Sequence, residues 1–152
     1  MEGVSDDRII RDAVALVEEG LSVTLLVKGR SMLPFILGGR ESVVLTRPEN
    51  ICPGDVVLAR IGGTRYVLHR VMEITDKKVV LMGDGNIRGR EICRPEDILA
   101  RTDEVVGADG VHRRLDTPRR KRAARLWRRL LPVRRWLLAI YKRTYLRNIE
   151  IQ

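Results

Sequence analysis

Asp55-Val56-Val57-Leu58-Ala59-Arg60-Ile61-Gly62-Gly63-Thr64-Arg65-Tyr66-Val67-Leu68-His69-Arg70-Val71 is the stretch whose reading decides the fold. Two runs rich in valine and leucine flank a glycine pair, the pattern of two antiparallel strands joined by a tight hairpin. The reading predicts strands over Asp55–Arg60 and Arg65–Thr75, with His69 on the second. Working outward, Ser22–Lys28, Ser42–Thr46, Lys78–Met82 and Leu99–Val106 have the same composition. Breakers at Leu37–Arg40, Pro48–Gly54 and Asp76-Lys77 separate them. Pro95-Glu96-Asp97 reads as one helical turn before the last strand. Short strands with tight turns make the fold class mainly β with α: a small, mostly antiparallel barrel or coiled sheet over residues 21–106.

Helices flank this β domain. Residues 1–20 read as an N-terminal helix, with Ser5 as cap, Asp6 and Asp7 in the first turn, and Gly20 as the stop. Ile10, Ala13, Val14 and Val17 form its apolar face. It is too short and solitary for a helix-turn-helix DNA-binding domain. Residues 107–117 read as a linker opened by Gly107-Ala108-Asp109-Gly110, and residues 118–152 as a basic amphipathic helical tail. Thr117 is the expected cap, Pro118 the first helical residue, and Pro132 the break between two helices. On one helical projection Leu126, Trp127, Leu130, Leu131, Val133, Leu137, Leu138, Ile140 and Tyr141 crowd one arc, with Arg134 and Trp136 as misfits.

Composition narrows the function classes. The 152 residues suffice for one domain with an appendage, and with 4% aromatic residues the core must be aliphatic. Two cysteines, Cys52 and Cys93, make no disulfide framework and match no zinc spacing; with two histidines, no metal or other cofactor is expected. Free thiols and the lack of a signal peptide favour the cytoplasm. The net charge of +9 is uneven: residues 113–152 carry 14 Lys and Arg against Asp116 and Glu150, leaving 15 basic against 18 acidic residues in the remainder. No apolar run reaches the ~18–20 residues of a membrane span.

The chemistry gathers at Gly29-Arg30-Ser31-Met32-Leu33-Pro34, where a strand ends in a glycine and a serine precedes a fixed turn. A serine hydroxyl attacks an amide only when a neighbour takes its proton, and histidine is suited to that task. His69 is the candidate base for Ser31. Taken singly, Ser31 fits an ordinary turn and His69 a half-buried strand position. Asp55 reads as a structural residue holding the turn before its strand. Arg70 reads as a surface or ion-pairing residue, and His112 is assigned no role.

Together, Ser-Met-x-Pro, Gly54-Asp55-Val56-Val57, His69-Arg70-Val71 and Gly83-Asp84-Gly85-Asn86 follow the motif order of the signal-peptidase and self-cleaving-repressor superfamily of serine peptidases. The chain resembles its histidine-type signal peptidases over roughly Val23 to Val106. That resemblance implies a signal-peptidase-like β fold in which Ser31 is the nucleophile and His69 the base. It implies an orienting carboxylate too. Glu91 is the nearest acidic match beyond Gly-Asp-x-Asn, and Asp84 is the other candidate, for which turn capping or ion pairing is the plainer role. The Ser31 N–H would serve the oxyanion, while Gly29 stands where some members carry a second, hydroxyl donor. Met32 and Leu33, with Phe35 and Ile36, would form an apolar lip taking an extended peptide as an added strand, with cleavage after a small residue. The expected function is therefore serine endopeptidase. The alternative is a weakly active or inactive peptide-binding protein of the same fold, peripheral to a membrane. Self-cleavage in the manner of a repressor ranks third.

The tail Arg119–Gln152 has three readings. Its apolar arc could enter an anionic membrane interface, pack on the barrel or a second subunit, or its arginines could neutralise nucleic acid. No nucleic-acid motif accompanies them, so the first two rank higher.

Overall fold

The computed structural model describes residues 2–146. Helix α1 spans Glu2–Glu18. Ser5 therefore lies inside the helix instead of capping it. A serine's preference for a cap is weak where preceding residues can add helical hydrogen bonds. The inward face is the expected one: Ala13 and Val17 are buried, and Ile10 and Val14 pack against the same core. Gly20 ends the helix with φ +92°. Its N–H meets the Val17 carbonyl at 2.9 Å and the Leu21 N–H meets Leu16 at 3.1 Å, the paired bonds of a Schellman stop.

Eight strands follow: β1 (Val23–Leu26), β2 (Ser42–Thr46), β3 (Val56–Ile61), β4 (Arg65–Ile74), β5 (Val79–Met82), β6 (Glu91–Cys93), β7 (Ile98–Val106) and β8 (His112–Arg114). They form one antiparallel sheet in the order β1-β2-β7-β3-β4-β5-β6, curled into a half-barrel, with β8 paired to β7. The predicted hairpin is β3–β4, in register from Val56↔Arg70 to Ile61↔Arg65. Three residues, Gly62, Gly63 and Thr64, join the strands, and both glycines have positive φ, a conformation that glycine adopts without steric cost. A 3-10 turn at Pro95–Asp97 precedes β7, as expected.

Successive side chains of β3 point to opposite faces. Val56 and Leu58 join a core with Met32, Ile36, Leu45 and Val105; Val57 and Ala59 join another with Val67, Val71 and Leu81. A strand buried on both faces shows no polar alternation, hence the continuous apolar run. β6 and β8 were not foreseen. Each has only three residues, Ile92 is largely exposed, and all of β8 is exposed, so neither carries a period-2 apolar signal. β8 lies within the stretch read as a linker, where Gly107 N–H donates to Val111 O at 3.0 Å and closes a β7–β8 hairpin.

In the tail, Thr117 Oγ1 accepts from the Arg120 N–H and caps α2 (Pro118–Arg129). A 3-10 turn at Leu131–Val133 interrupts the chain at Pro132, followed by α3 (Arg134–Tyr141) and a π-helical turn. The break divides the single arc of the projection. Trp127 and Leu138 are buried, whereas Leu126, Val133, Trp136, Leu137 and Ile140 are exposed. Arg134, a misfit on the projection, is only 1% exposed. The side chain of Tyr145 and residues 147–152 lie outside the described residues.

Candidate active site

Ser31 does not sit on β1 but in the turn after it. Gly29 adopts φ +81°, a left-handed conformation suited to glycine, and Leu33 N–H closes on Arg30 O at 3.3 Å. Phe35 and Ile36 N–H groups both donate to Met32 O, at 3.0 and 2.9 Å, which winds the segment after Ser31 into a helical turn. The apolar lip expected of this segment is not at the surface. Met32, Leu33 and Ile36 are at most 2% exposed, because three large apolar side chains gain more from the core than a groove rim would return. They anchor the Ser31 turn from below; Met32 alone of the three also lines the cavity described next.

Ser31 and His69 both line a cavity of about 970 Å³, with Asn86, Glu91 and Lys28. Its long wall is β1 from Thr24 onward, the edge strand of the sheet. No hydrogen bond joins Ser31 to His69. The His69 ring is 6% exposed, and its Nδ1 is buried with no partner among the described residues. Burial holds the imidazole below its ordinary 6.5; Glu91 acts against this, Arg65 with it, and Asp84 against it. The imidazole is thereby kept neutral. The Ser31 N–H has no acceptor among the described residues.

The two candidate carboxylates have different surroundings. Asp84 is not on the imidazole: its Oδ1 and Oδ2 accept from Arg70 Nε and Nη2 at 2.8 and 2.7 Å, in a pair whose side chains are 2% and 6% exposed. An arginine fork matches a carboxylate in two parallel bonds, and a pair buried this deeply is held by that geometry. The ion-pairing role expected of Arg70 is therefore real, but it is buried and not at the surface. Glu91 lines the cavity of His69 and pairs at its rim with Arg65 at 2.9 Å.

The Gly83-Asp84-Gly85-Asn86 motif has a backbone function. A Cβ on Gly83 would strike the Ser31 carbonyl and one on Gly85 the Arg30 carbonyl, so only glycine lets the two segments meet. Gly85 N–H donates to Ser31 O at 2.7 Å, which fixes the peptide that carries the serine. The other motif, Gly54-Asp55, is a turn: Asp55 Oδ2 accepts from Cys52 N–H at 2.8 Å, and Arg70 Nη1 donates to Gly54 O at 2.7 Å. Asp55 is structural in this position, as its sequence context suggests.

Sequence reasoning missed that the tail reaches this site. Trp127 Nε1 donates to Asp84 O at 2.8 Å, and Arg134 Nη1 donates to Asn86 O at 3.2 Å. The Arg134 guanidinium also meets Trp127 O and lies over the Trp127 ring, which meets Phe35 edge-on; Arg70 lies over Phe35 from elsewhere. The one signal in the sequence is that Arg134 is a misfit on the projection of the tail, a cation out of place among the apolar residues. His112 sits on β8 in a pair with Glu104, away from these groups. Among the described residues no group of three or more His, Cys, Asp and Glu could hold a metal ion.

No curated protein matches the chain. The model of the Peptidase S24-like family matches residues 3–100, which takes in the Ser31 turn, the β3–β4 hairpin and the glycine loop beneath the serine. This match covers most of the chain, including Ser31, His69, Asp84 and Glu91, and the chain belongs to the Peptidase S24-like family.

Proposed function

We propose that this member of the family is a serine endopeptidase of the histidine type, with Ser31 as nucleophile and His69 as general base and then acid. The observation that carries the reading is the shared cavity, lined by Ser31, which Gly85 holds from behind, and by a neutral, buried imidazole. His69 takes the Ser31 proton as Oγ attacks the peptide carbonyl, then gives it to the leaving amine. Water, deprotonated by the same ring, releases the acyl group. The free Ser31 N–H is the oxyanion donor. Glu91 is the better-placed carboxylate to support the charged ring, since Asp84 is committed to Arg70. The exposed edge of β1 suits a substrate added as a strand along the cavity. Catalytic hydrogen bonds are often long in an empty site and tighten with substrate, so the missing Ser31–His69 bond is compatible with this chemistry.

The test is labelling with a fluorophosphonate. Wild-type protein should be labelled, and both Ser31→Ala and His69→Ala should abolish labelling while retaining the wild-type circular dichroism spectrum. An unlabelled, folded wild type would favour the alternative, a peptide-binding protein without catalysis.

For location we infer an anionic membrane surface. Val133, which caps α3, and Trp136, Leu137 and Ile140 on it fall at i, i+3, i+4 and i+7, and all four are exposed, whereas Arg134 and Leu138 are buried. Arg135 lies over the Trp136 ring, Lys142 and Arg143 follow in the next turn of the chain, and no acidic residue occurs between Thr117 and Leu146. A tryptophan-bearing apolar stripe rimmed by cations is what an interfacial helix requires. No helix of the described residues is long and apolar enough to cross a membrane.

A further inference from the structure

A second cavity, of about 380 Å³, lies where α2 crosses the turn before β3 and the middle of β7. Arg120, Lys121, Arg125 and Arg128 of α2 line it, over a floor formed by the buried Ala124. Among the described residues none of these four cations has a carboxylate in ion-pairing distance. The acids that share the lining are already engaged. Asp55 holds Cys52, Asp103 holds Arg101 and Thr46, and both oxygens of Asp116 are on Arg114. Burial lowers the proton affinity of Arg120, with Glu41 acting against this and the nearby Arg113 and Arg70 with it; burial, then Arg70 and Arg125, lowers that of Arg128, with Asp84 acting against them. Like charges are thus crowded into a concave, partly dry space, an arrangement that costs free energy until an anion occupies it.

A second observation points into the same space. Thr102 lines the cavity, is 4% exposed, and its Oγ1 is buried without a hydrogen-bond partner. Buried hydroxyls are nearly always satisfied, so an orphan on a residue that lines a cationic cavity marks the place of an acceptor. Among the described residues Asp55 is the one lining carboxylate without a cationic partner, so the four cations stay in excess of it, and arginine forks match the oxygens of phosphate. The enclosure favours a compact group over an extended chain.

We propose that this cavity binds a multiply charged phosphate group, held by Arg120, Lys121, Arg125 and Arg128 and accepting from the Thr102 hydroxyl. The group belongs to a small phosphorylated molecule or to a lipid headgroup. The site is separate from the Ser31 cavity and does not depend on Ser31 being catalytic. It adjoins Arg70, whose guanidinium grips Asp84, so an occupant would reinforce the loop that holds Ser31.

The test is calorimetric titration of the full chain with inorganic pyrophosphate at low and moderate salt, in wild type and in Ser31→Ala. One saturable site is expected in both, weakening as salt rises. Arg128→Gln and, separately, the near-isosteric Thr102→Val should each weaken it, the arginine change by about tenfold or more. Arg135→Gln, which lies outside the cavity, should leave it unchanged. Displacement of pyrophosphate by vesicles containing phosphatidic acid, and not by phosphatidylcholine alone, would support the site with a lipid headgroup as source. Binding that vesicles do not displace would support it with a soluble phosphate as source. No saturable binding to wild type, or equal binding by Arg128→Gln and Thr102→Val, would overturn the proposal. Loss of labelling at Ser31 with binding intact would count against the peptidase reading alone.

Discussion

Under the proposed mechanism His69 must be neutral before it reacts, and burial favours that state. The folded ring titrates below 6.5, so the unfolded chain binds the proton more tightly. The contribution of the neutral ring to stability is therefore whole above pH 6.5 and is lost as pH falls from there toward the folded value. Over that window wild-type protein should lose stability faster than His69→Asn, measured as urea midpoints at successive pH values; parallel curves would contradict it. Fluorophosphonate labelling should have its acid limb below pH 6.5. Glu91 raises the ring's proton affinity and Arg65 lowers it, so Glu91→Gln should move the limb to lower pH and Arg65→Gln to higher pH. A limb that neither variant moves would remove Glu91 from the site. That Ser31 and His69 deserved attention was legible in the sequence because their motifs are local, and the fold brings both to one cavity. The partner of Asp84 was not: a carboxylate beside a glycine looks the same whether it faces an imidazole or a guanidinium, and only the β4–β5 pairing brings Arg70 opposite the start of that loop.

At the scale of elements, the glycine loop Gly83–Asn86 joins two parts of the molecule. On one side it holds the carbonyl of Ser31; on the other its own carbonyls at Asp84 and Asn86 accept from Trp127 and Arg134 of the tail. Backbone acceptors buried at such a junction need donors, and α2 and α3 supply them. Trp127→Phe keeps the ring against Phe35 but removes the indole donor, and should cost about 1–3 kcal/mol in denaturant unfolding, the penalty of an unsatisfied buried acceptor. Trp127→Ala should cost about 3–5 kcal/mol, since the ring's packing goes as well. Both should slow Ser31 labelling under conditions where the protein remains folded. Unchanged stability in both would mean that the tail merely rests on the loop. Strands β1, β2, β3, β4, β5 and β7 could be read from composition because each packs aliphatic residues on the core from at least one face. β6 and β8 could not, since three-residue strands are specified by the neighbour they pair with. The split of the tail's apolar arc was hidden too, because a projection assumes one axis and Pro132 provides two.

For the whole molecule, the uneven charge gives the surface a direction. The body is slightly acidic, the tail strongly basic, and the tail's stripe of Val133, Trp136, Leu137 and Ile140 is exposed, whereas the buried Arg134 holds the glycine loop. An exposed apolar stripe on a domain this small needs an occupant, and the surrounding cations favour an anionic bilayer over a second, equally basic copy of the tail. The double variant Trp136→Ser/Ile140→Ser changes only exposed side chains, so it should leave the unfolding midpoint unchanged. Co-sedimentation with vesicles containing phosphatidylglycerol should fall at least about tenfold, because the buried area of two large apolar side chains is lost from the interface. Binding should be absent on neutral vesicles and should weaken with salt, as the cations contribute through screened attraction. The indole of Trp136 should shift its emission to shorter wavelength on vesicles of that composition, while Trp127, already buried, should not. If the double variant binds as well as wild type, the arginines alone hold the protein there and the stripe belongs to another contact. A concentration-dependent dimer lost in the double variant would identify that contact as a second copy of the chain.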